Sequence, residues 1–252
     1  MPIALITGAT SGFGKAIAQT LSKNNYDCII TGRRKERLDE LENELKKNGK
    51  KVLSLCFDVR NRKATNEAIE AIPAEWKNID VLVNNAGLAS GLSLLQDGDP
   101  EDWDKMIDTN VKGLLNVSRA VLPLMVKRNS GYVFNIGSVA GHYVYERGNI
   151  YCATKFAVDA ISQAMRIDLL KNNIRVTQIL PGLAETEFSL VRFKGDAGRA
   201  KQTYQGLKAL DAEDIAEVVR YCLSLPQHVC INELVITPTA QANPFYINKE
   251  GV

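Results

Sequence analysis

Short apolar runs alternate with amphipathic stretches along almost the whole chain. The apolar runs of strand length are residues 3–7, 28–31, 52–57, 80–85, 131–138, 174–182 and 233–239. The stretches with helical spacing include 12–23, 35–47 and 62–72, and another follows Asp211. In 35–47, Leu38, Leu41 and Leu45 share one face with charges opposite, which is typical of an amphipathic helix. Apolar strands separated by helices indicate a parallel sheet covered on both sides.

This order predicts one α/β domain over residues 1–252. The expected fold is a Rossmann-type, doubly wound parallel sheet of about seven strands with helices on both faces. Asp99 as N-cap and Pro100 at the first helical position begin a long helix, which is predicted to break near Gly113 or Pro123. Residues 183–210 form the main irregular segment, and their place after the sixth strand favours a substrate lid over a surface excursion.

Composition narrows the classes of partner. A net charge of +2 argues against broad electrostatic attraction to nucleic acid or to an anionic membrane. No stretch approaches the roughly 20 apolar residues that span a bilayer. The first residues, MPIALITGAT, lack the basic start of a signal peptide, so a cytoplasmic location is expected.

Cysteine and histidine usage predicts no metal site. The five cysteines are widely spaced and include no C-x-x-C pair, and the two histidines, His142 and His228, are far apart in sequence. Reduced thiols are the simplest interpretation. Cys152 adjoins Tyr151, but as a small, adaptable side chain it is predicted to pack in the core.

A glycine-rich turn, TGATSGFG at 7–14, follows the first strand and begins the first helix. Gly8 permits the sharp turn, Gly12 lets the backbone approach a pyrophosphate, and Gly14 permits close helix packing. The free N–H groups of the helix start then face an anion. An ordinary strand-to-helix turn is the alternative, but the position in an alternating α/β chain favours a dinucleotide site.

A basic pair follows the second strand, where NAD-binding proteins usually have an acidic residue. The sequence TGRRKER places Arg33 and Arg34 there, with no carboxylate before Glu36. Guanidinium groups match the geometry and charge of a phosphate, so NADP, with its 2′-phosphate, is predicted as the cofactor. The alternative is a solvated helix start, although two arginines suit a helix N-terminus poorly.

Tyr151 and Lys155 are four residues apart at the start of a helical pattern, so they share a face. A lysine beside a phenol favours the phenolate and is expected to lower a pKa of about 10. Such a tyrosine can give or take a proton near neutral pH. An ordinary amphipathic helix edge is the alternative interpretation of the pair.

Together with NNAG (84–87), TN (109–110), Y-x-x-x-K (151–155) and PGLAET (181–186), these motifs resemble the short-chain dehydrogenase/reductase family. The likeness covers nearly the whole chain in order and spacing. GRRKERLDEL, EDWDKMIDTN and TEFSLVRFKGD resemble more narrowly the NADP-dependent 3-hydroxy acid dehydrogenases, which oxidise serine and allo-threonine and reduce malonic semialdehyde.

The resemblance implies four catalytic residues. Tyr151 would be the general acid/base, and Lys155 would lower its pKa and bond the nicotinamide ribose. Ser138 would hydrogen-bond the substrate oxygen, and Asn110 would complete a water-connected proton relay. A turn cap for Ser138 and an isolated helical polar residue for Asn110 are the alternatives.

The resemblance also implies the cofactor contacts. They are Gly8, Thr10, Ser11, Gly12, Phe13 and Gly14 in the glycine-rich turn, Arg33 and Arg34 at the 2′-phosphate, Asp58 and Val59 near adenine, Asn85 and Ala86 on the adenine ribose side, Tyr151 and Lys155, and Pro181, Gly182 and Thr186 at the nicotinamide end. For Asn84 and Gly87, support of the central sheet is the alternative.

The implied activity is hydride transfer between NADP(H) and a small 3-hydroxy acid. The substrate carboxylate calls for a cation, for which Arg147, Arg192 and Lys194 are candidates. Arginine suits a carboxylate best, because its fork can bind both oxygens. Arg192 is ranked first because TEFSLVRFKGD is the run shared with the 3-hydroxy acid dehydrogenases and a lid can close this cation over bound substrate. Alternatives are a reductase of another carbonyl (3-oxoacyl thioester, sugar or steroid) and a non-catalytic NADP-binding sensor. The family also implies a homotetramer built on the helices around 100–127 and 150–171.

Overall fold

The computed structural model describes residues 1–251 and contains one seven-stranded parallel sheet. The strands are β1 (Ile3–Ile6), β2 (Asp27–Gly32), β3 (Val52–Cys56), β4 (Ile79–Asn84), β5 (Gly131–Ile136), β6 (Ile174–Pro181) and β7 (Glu233–Ile236). Their spatial order is β3-β2-β1-β4-β5-β6-β7, and every neighbouring pair is parallel. The order reverses between β1 and β4, which is where a doubly wound sheet binds its ligand. The predicted fold is confirmed.

Helices cover both faces of the sheet. They are α1 (Gly12–Lys23), α2 (Lys35–Lys46), α3 (Arg62–Glu70), α4 (Pro100–Ile107), α5 (Leu114–Arg128), α6 (Asn149–Asp168), α7 (Glu187–Arg192), α8 (Ala197–Gln202) and α9 (Ala212–Ser224). One apolar core lies between the sheet and α1, α2 and α9, and a second lies between the sheet and α3, α5 and α6. The apolar sides of these six helices therefore face the strands.

The long helix begins at the predicted cap and is interrupted near Gly113, one of the two predicted break positions. The Asp99 side chain accepts a hydrogen bond from the Glu101 N–H and caps α4. A π-helical turn, Asp108–Gly113, then joins α4 to α5, and a Cβ on Gly113 would lie 2.6 Å from Val59 Cγ2. The alternative break at Pro123 is wrong, because α5 continues through it. A proline removes one backbone donor, which a well-packed helix can tolerate.

The irregular segment 183–210 contains the short helices α7 and α8. Each begins at a side-chain cap: Thr186 Oγ1 accepts from the Phe188 N–H, and Asp196 Oδ1 accepts from the Arg199 N–H. The helices have six residues each, too few for a helical period to be recognised in the sequence. The segment is thus more regular than predicted, and its movement as a lid stays a prediction.

The cysteines and the helix lengths bear on two further expectations. All five cysteines are free thiols, and Cys152 is fully buried in an apolar cluster, as its predicted packing role requires. Among residues 1–251, none of the helices combines the length and apolar character needed to cross a membrane. The cytoplasmic location and the absence of nucleic-acid partners stay predictions.

Candidate active site

A cleft of about 500 Å³ lies at the carboxyl ends of the strands. It is lined by residues from every motif singled out in the sequence. The predicted site residues on its walls are Gly8, Thr10, Ser11, Gly12, Phe13, Arg33, Arg34, Asp58, Val59, Asn85, Ala86, Ser138, Tyr151, Lys155, Pro181, Gly182, Thr186 and Arg192. Widely separated segments therefore meet at one place.

The glycine-rich turn has the backbone that its sequence requires. Gly8 and Gly12 have φ values of +65° and +51°, a region that disfavours other residues. A Cβ on Gly14 would lie 2.5 Å from the Gly8 carbonyl oxygen, so Gly14 packs behind the turn rather than lining the cleft. Asn85 braces the turn by donating to the Thr7 carbonyl at 2.8 Å. These positions leave the backbone of the turn close to the cleft, as binding of a pyrophosphate requires.

Arg34 is held against the glycine-rich turn. Its Nε and Nη2 donate to Thr10 Oγ1 at 3.2 and 2.9 Å, and Nη2 also donates to Ser11 Oγ at 2.8 Å. Its Nη1 donates to Glu187 Oε2 at 3.0 Å. Two hydroxyls of the turn thus fix a guanidinium on the cleft wall.

Arg33 adds a second, more open cation at the same end. Its side chain is 55% exposed, and Nη1 lies 3.6 Å from Asp58 Oδ2. Asp58 is bound more closely by Arg60, at 2.6 Å. Burial raises the pKa of the Asp58 carboxyl, but hydrogen bonds from Arg60 outweigh burial and hold that pKa below its usual range. The charge at the end of β2 therefore suits a ligand with a phosphate here, which fits NADP.

Tyr151 and Lys155 lie buried on α6 and both line the cleft. Lys155 Nζ donates to the Ile136 carbonyl at 2.9 Å and lies 5.8 Å from the centroid of the Tyr151 ring. A Cβ on Gly87 would be 3.7 Å from Lys155 Nζ and 3.3 Å from Asn110 Oδ1. Gly87 thus leaves room at the lysine, which supports a place in the site rather than in the sheet.

The expected lowering of the phenol pKa is not found. Burial raises the pKa of Tyr151 above its ordinary value and Tyr145 raises it further, whereas Arg192 and the Ser138 hydroxyl act in the opposite direction. Burial also lowers the pKa of Lys155 to about 8. The low-dielectric surroundings disfavour both charged groups, and this outweighs the effect expected from the spacing of Tyr151 and Lys155.

Ser138 both caps a turn and faces the cleft. Its Oγ accepts from the Ala140 N–H at 3.1 Å at the start of a short 3₁₀ turn, Val139–Gly141, and donates to the Pro181 carbonyl at 3.5 Å. The turn-cap alternative is therefore correct. It does not remove the hydroxyl from the neighbourhood of Tyr151, whose pKa it lowers.

Asn110 lies in the π turn, behind the cleft wall. Its Nδ2 donates to the Leu88 carbonyl at 2.8 Å and to Thr154 Oγ1 at 3.0 Å, and its Oδ1 accepts from the Leu88 N–H. The side chain is buried and joins the π turn to α6 and to the loop after β4. Its part in a proton relay stays a prediction.

Arg192 lies over the ring of Tyr151. Its guanidinium carbon is 4.9 Å from the ring centroids of both Tyr151 and Phe188, and Nη2 donates to the Tyr145 hydroxyl at 2.8 Å. Its Nε is buried, with no hydrogen-bond partner among the described residues. A half-buried cation with an unpartnered donor in the cleft can bind an anionic group of a ligand.

The other two candidate cations are placed differently. Arg147 has φ +63° and a side chain that is 53% exposed, with Nε 3.4 Å from Glu146. Lys194 Nζ lies 2.8 Å from Asp102 Oδ2 and fastens the segment after α7 to α4. In the described part of the chain, Arg192 is the candidate that lines the cleft. Arg147 lines a small neighbouring pocket with Tyr151 and Arg192 instead of the main cleft, and its role as a substrate contact stays a prediction.

Several residues of the cleft were not found in the sequence. Tyr145 could have been found, because it lies in the tyrosine-rich loop before Tyr151. Gln241 gives no signal: it comes from the loop after β7, and its Oε1 accepts from the Leu183 N–H at 2.7 Å. Asn84 has the sheet-supporting role left open above, since its Nδ2 donates to Ser118 and Asn135 at 3.0 and 2.9 Å.

Three side chains outside the cleft could ligate a metal ion, whereas the sequence predicts no metal site. Ligand atoms of His142, Asp159 and Glu233 lie within 4.8 Å of one another. His142 Nε2 lies 3.3 Å from Glu233 Oε1, so a direct contact accounts for two of the three side chains. The absence of a metal stays a prediction.

A dinucleotide turn, a basic phosphate end and a buried Tyr–Lys pair in one cleft are the parts of a dinucleotide-dependent oxidoreductase. The family model described as short chain dehydrogenase matches residues 2–196. The chain belongs to the short-chain dehydrogenase family, which confirms the family prediction.

Individual relatives are similar over almost their whole length. The chain is 51% identical over 241 residues to the NADP-dependent 3-hydroxy acid dehydrogenase YdfG of Escherichia coli, covering 95% of this chain and 96% of the relative. It is 45% identical over 250 residues to sulfoacetaldehyde reductase 2 of Chromohalobacter salexigens, covering 98% and 99%. The closed form of serine dehydrogenase complexed with NADP⁺ superposes with a TM-score of 0.93 at 50% identity, covering 96% and 97%.

Proposed function

We propose that this protein transfers a hydride between NADP(H) and a small 3-hydroxy acid of the serine, allo-threonine or 3-hydroxypropionate type. The observation that carries the substrate class is the position of Arg192, a half-buried cation beside Tyr151 in the cleft. The relatives named for 3-hydroxy acid and serine dehydrogenation support the same class.

The cofactor end of the cleft fits NADP. The glycine-rich turn would hold the pyrophosphate, and Arg33 and Arg34 would hold the 2′-phosphate. Lys155 would bind the nicotinamide ribose. When bound, NADP supplies the hydride acceptor for oxidation and, in its reduced form, the hydride donor.

The protein's own residues manage the proton and the substrate oxygen. Ser138 and Tyr151 hydrogen-bond that oxygen, and Tyr151 takes the alcohol proton during oxidation and returns it during reduction. Because burial raises its pKa, the phenol carries its proton at neutral pH, which suits the donating role. The charge of Arg192 acts against burial and lowers the pKa of Tyr151. Asn110 would connect Tyr151 and Lys155 to water.

Arg192 would anchor the acid group of the substrate. A 3-hydroxy acid carries its carboxylate a few bonds from the reacting carbon, and the guanidinium lies over the ring of the tyrosine that handles the hydroxyl proton. The buried Nε supplies a donor that needs a partner. Tyr145, through its hydrogen bond to Nη2, keeps the guanidinium in place.

A second candidate substrate is an aldehyde with a sulfonate in place of the carboxylate. Arg192 would bind either anion, and one relative is named sulfoacetaldehyde reductase. A substrate panel with NADP(H) separates the candidates: serine, 3-hydroxypropionate, sulfoacetaldehyde and uncharged alcohols or ketones of equal size. Best activity on uncharged substrates would contradict the acid class. NADPH binding without turnover of any of them would favour a sensor.

Cofactor choice is expected to depend on the basic pair. Replacing Arg33 and Arg34 together with alanine should weaken NADPH binding by at least about tenfold, because a hydrogen bond to a charged group contributes roughly 1.5–3 kcal/mol and Arg33 is partly solvated. NADH binding should change little. Titration of cofactor fluorescence measures both, and Lys35→Ala with Lys46→Ala is the control that removes two charges from α2. An equal loss for NADH and NADPH would show that the pair only supports the fold.

We also propose a homotetramer. The helices expected at its contacts carry exposed apolar side chains, including Leu115 on α5 and Phe156 and Ile167 on α6, the last of them 76% exposed. Burial of such side chains between subunits is favourable. Light scattering at micromolar concentration should give about four times the chain mass of 27.8 kDa, and a monomer would contradict the proposal.

A further inference from the structure

Glu187 connects two segments that are far apart in the sequence. It is the first residue of α7, and its carboxylate oxygens lie 3.0 Å from Arg34 Nη1 and 2.6 Å from Arg37 Nη1. Arg34 directly precedes α2, and Arg37 lies in its first turn. The segment after β6 is thus tied to the segment after β2 by two ion pairs that share one carboxylate.

Arg34 is also the better fixed of the two arginines suited to a 2′-phosphate. Its Nε and Nη2 are directed to Thr10 and Ser11, and its remaining nitrogen, Nη1, points to Glu187. Glu187 itself lines the cleft. An anion that approaches Arg34 from the cleft therefore meets a guanidinium that already has a carboxylate partner.

The carboxylate is charged under ordinary conditions. Burial raises the pKa of Glu187, but hydrogen bonds from Arg34 and Arg37 outweigh it and hold the pKa below its usual range. A phosphate monoester carries about −1.5 to −2 charges near pH 7. Two anions at one guanidinium repel each other, so occupancy by one weakens the other.

We propose that Glu187 is a specificity-determining residue that competes with the 2′-phosphate of NADP for Arg34. Glu187 lowers the affinity for NADP(H) and leaves that for NAD(H) unchanged, so it sets how strongly the protein prefers the phosphorylated cofactor. This inference rests on the proposed use of NADP.

Arg37 can remain ion-paired with the Glu187 carboxylate after the 2′-phosphate has displaced it from Arg34. Because Arg37 is the closer partner of Glu187, the carboxylate can lose Arg34 and remain paired. The neighbouring Thr186 packs against the glycine-rich turn: its Cβ lies 3.4 Å from the position that a Cβ on Gly12 would occupy. The start of α7 can therefore remain over the turn after the 2′-phosphate has taken Arg34.

The test replaces Glu187 with glutamine, which keeps the size and removes the charge. Calorimetry with 2′,5′-ADP and 5′-AMP, and fluorescence titration with NADPH and NADH, measure binding without turnover. An exposed ion pair contributes about 0.2–1 kcal/mol, a factor of about 1.4–5 in affinity, and the carboxylate gives up only its pair with Arg34. Glu187→Gln should therefore bind 2′,5′-ADP and NADPH about twofold to fivefold more tightly. Binding of 5′-AMP and NADH should equal that of the wild type, because neither ligand carries a 2′-phosphate.

Glu185→Gln is the matched control, because it removes the same charge two residues away from an exposed side chain. It should leave all four affinities unchanged. In an Arg34→Gln background, the gain from Glu187→Gln should disappear, since competition acts through Arg34. Equal folding of all variants is checked by their thermal unfolding.

Three results would overturn the inference: unchanged or weaker NADPH binding in Glu187→Gln, an equal gain for NADH, or a gain that persists without Arg34. Weaker binding would instead assign Glu187 to holding α7 in place. Failure of wild-type protein to bind 2′,5′-ADP at all would remove the NADP proposal itself and is recognised separately.

Discussion

Tyr151→Phe is expected to bind NADPH with near-normal affinity and to lose roughly 10²–10⁴-fold in kcat. The phenol is buried beside Ser138 at the cleft, as its proposed contact with the substrate oxygen requires, whereas the proposed cofactor contacts are Arg33, Arg34 and the glycine-rich turn. Removing the hydroxyl takes away the proton donor and keeps the ring that packs against Phe188, with centroids 5.5 Å apart. Steady-state turnover and NADPH titration measure the two parts separately.

Tyr143→Phe is the matched control for this variant. Tyr143 lies in the same loop but is exposed and outside the cleft lining, so its kcat should be that of the wild type. Wild-type turnover in Tyr151→Phe would contradict the catalytic assignment. A parallel loss of NADPH binding would mean that the hydroxyl supports the cofactor site instead.

The fold and the cofactor end could be predicted because their signals are local in sequence. Gly8, Gly12 and Gly14 are set by the geometry of one strand-to-helix turn, and Arg33 and Arg34 follow a strand whose end has a fixed place in the sheet. The alternation of strands and helices likewise needs only short-range periodicity. Each of these features is determined by a stretch of about ten consecutive residues.

The remaining parts of the site depend on contacts between distant segments. Glu187 meets Arg34 across 153 positions of sequence, and Gln241 meets Leu183 across 58. Neither pairing leaves a pattern in a single chain. Their side chains are ordinary polar residues until the fold brings them to the cleft.

The predicted lowering of the Tyr151 pKa was wrong for a different reason. The spacing of Tyr151 and Lys155 was correct, but spacing carries no information about the dielectric around the pair. Burial raises the pKa of one and lowers that of the other, and the cation that lowers the phenol pKa most is Arg192 from a separate segment. A pKa is a property of the assembled site.

Arg192→Ala is expected to lower kcat/KM for 3-hydroxypropionate or serine by about 10–100-fold, chiefly through KM, because a hydrogen bond to a charged group contributes roughly 1.5–3 kcal/mol. An uncharged alcohol of the same size should lose much less. Arg192 also lowers the pKa of Tyr151, so its removal moves that pKa up. Since oxidation needs the phenolate, the rise of the oxidation rate with pH should move to higher pH for every substrate.

Each variant must therefore be measured over a range of pH. The loss in kcat/KM for charged and for uncharged substrates is then compared at pH values where the same fraction of Tyr151 is ionised. Arg192→Lys keeps the charge but loses the fork that grips both carboxylate oxygens, and it should recover part of the KM and part of the pH shift. Arg147→Ala removes an exposed arginine outside the cleft and should change neither. Equal losses for charged and uncharged substrates under these conditions would show that Arg192 acts on Tyr151 alone, and the acid group would then need a different partner.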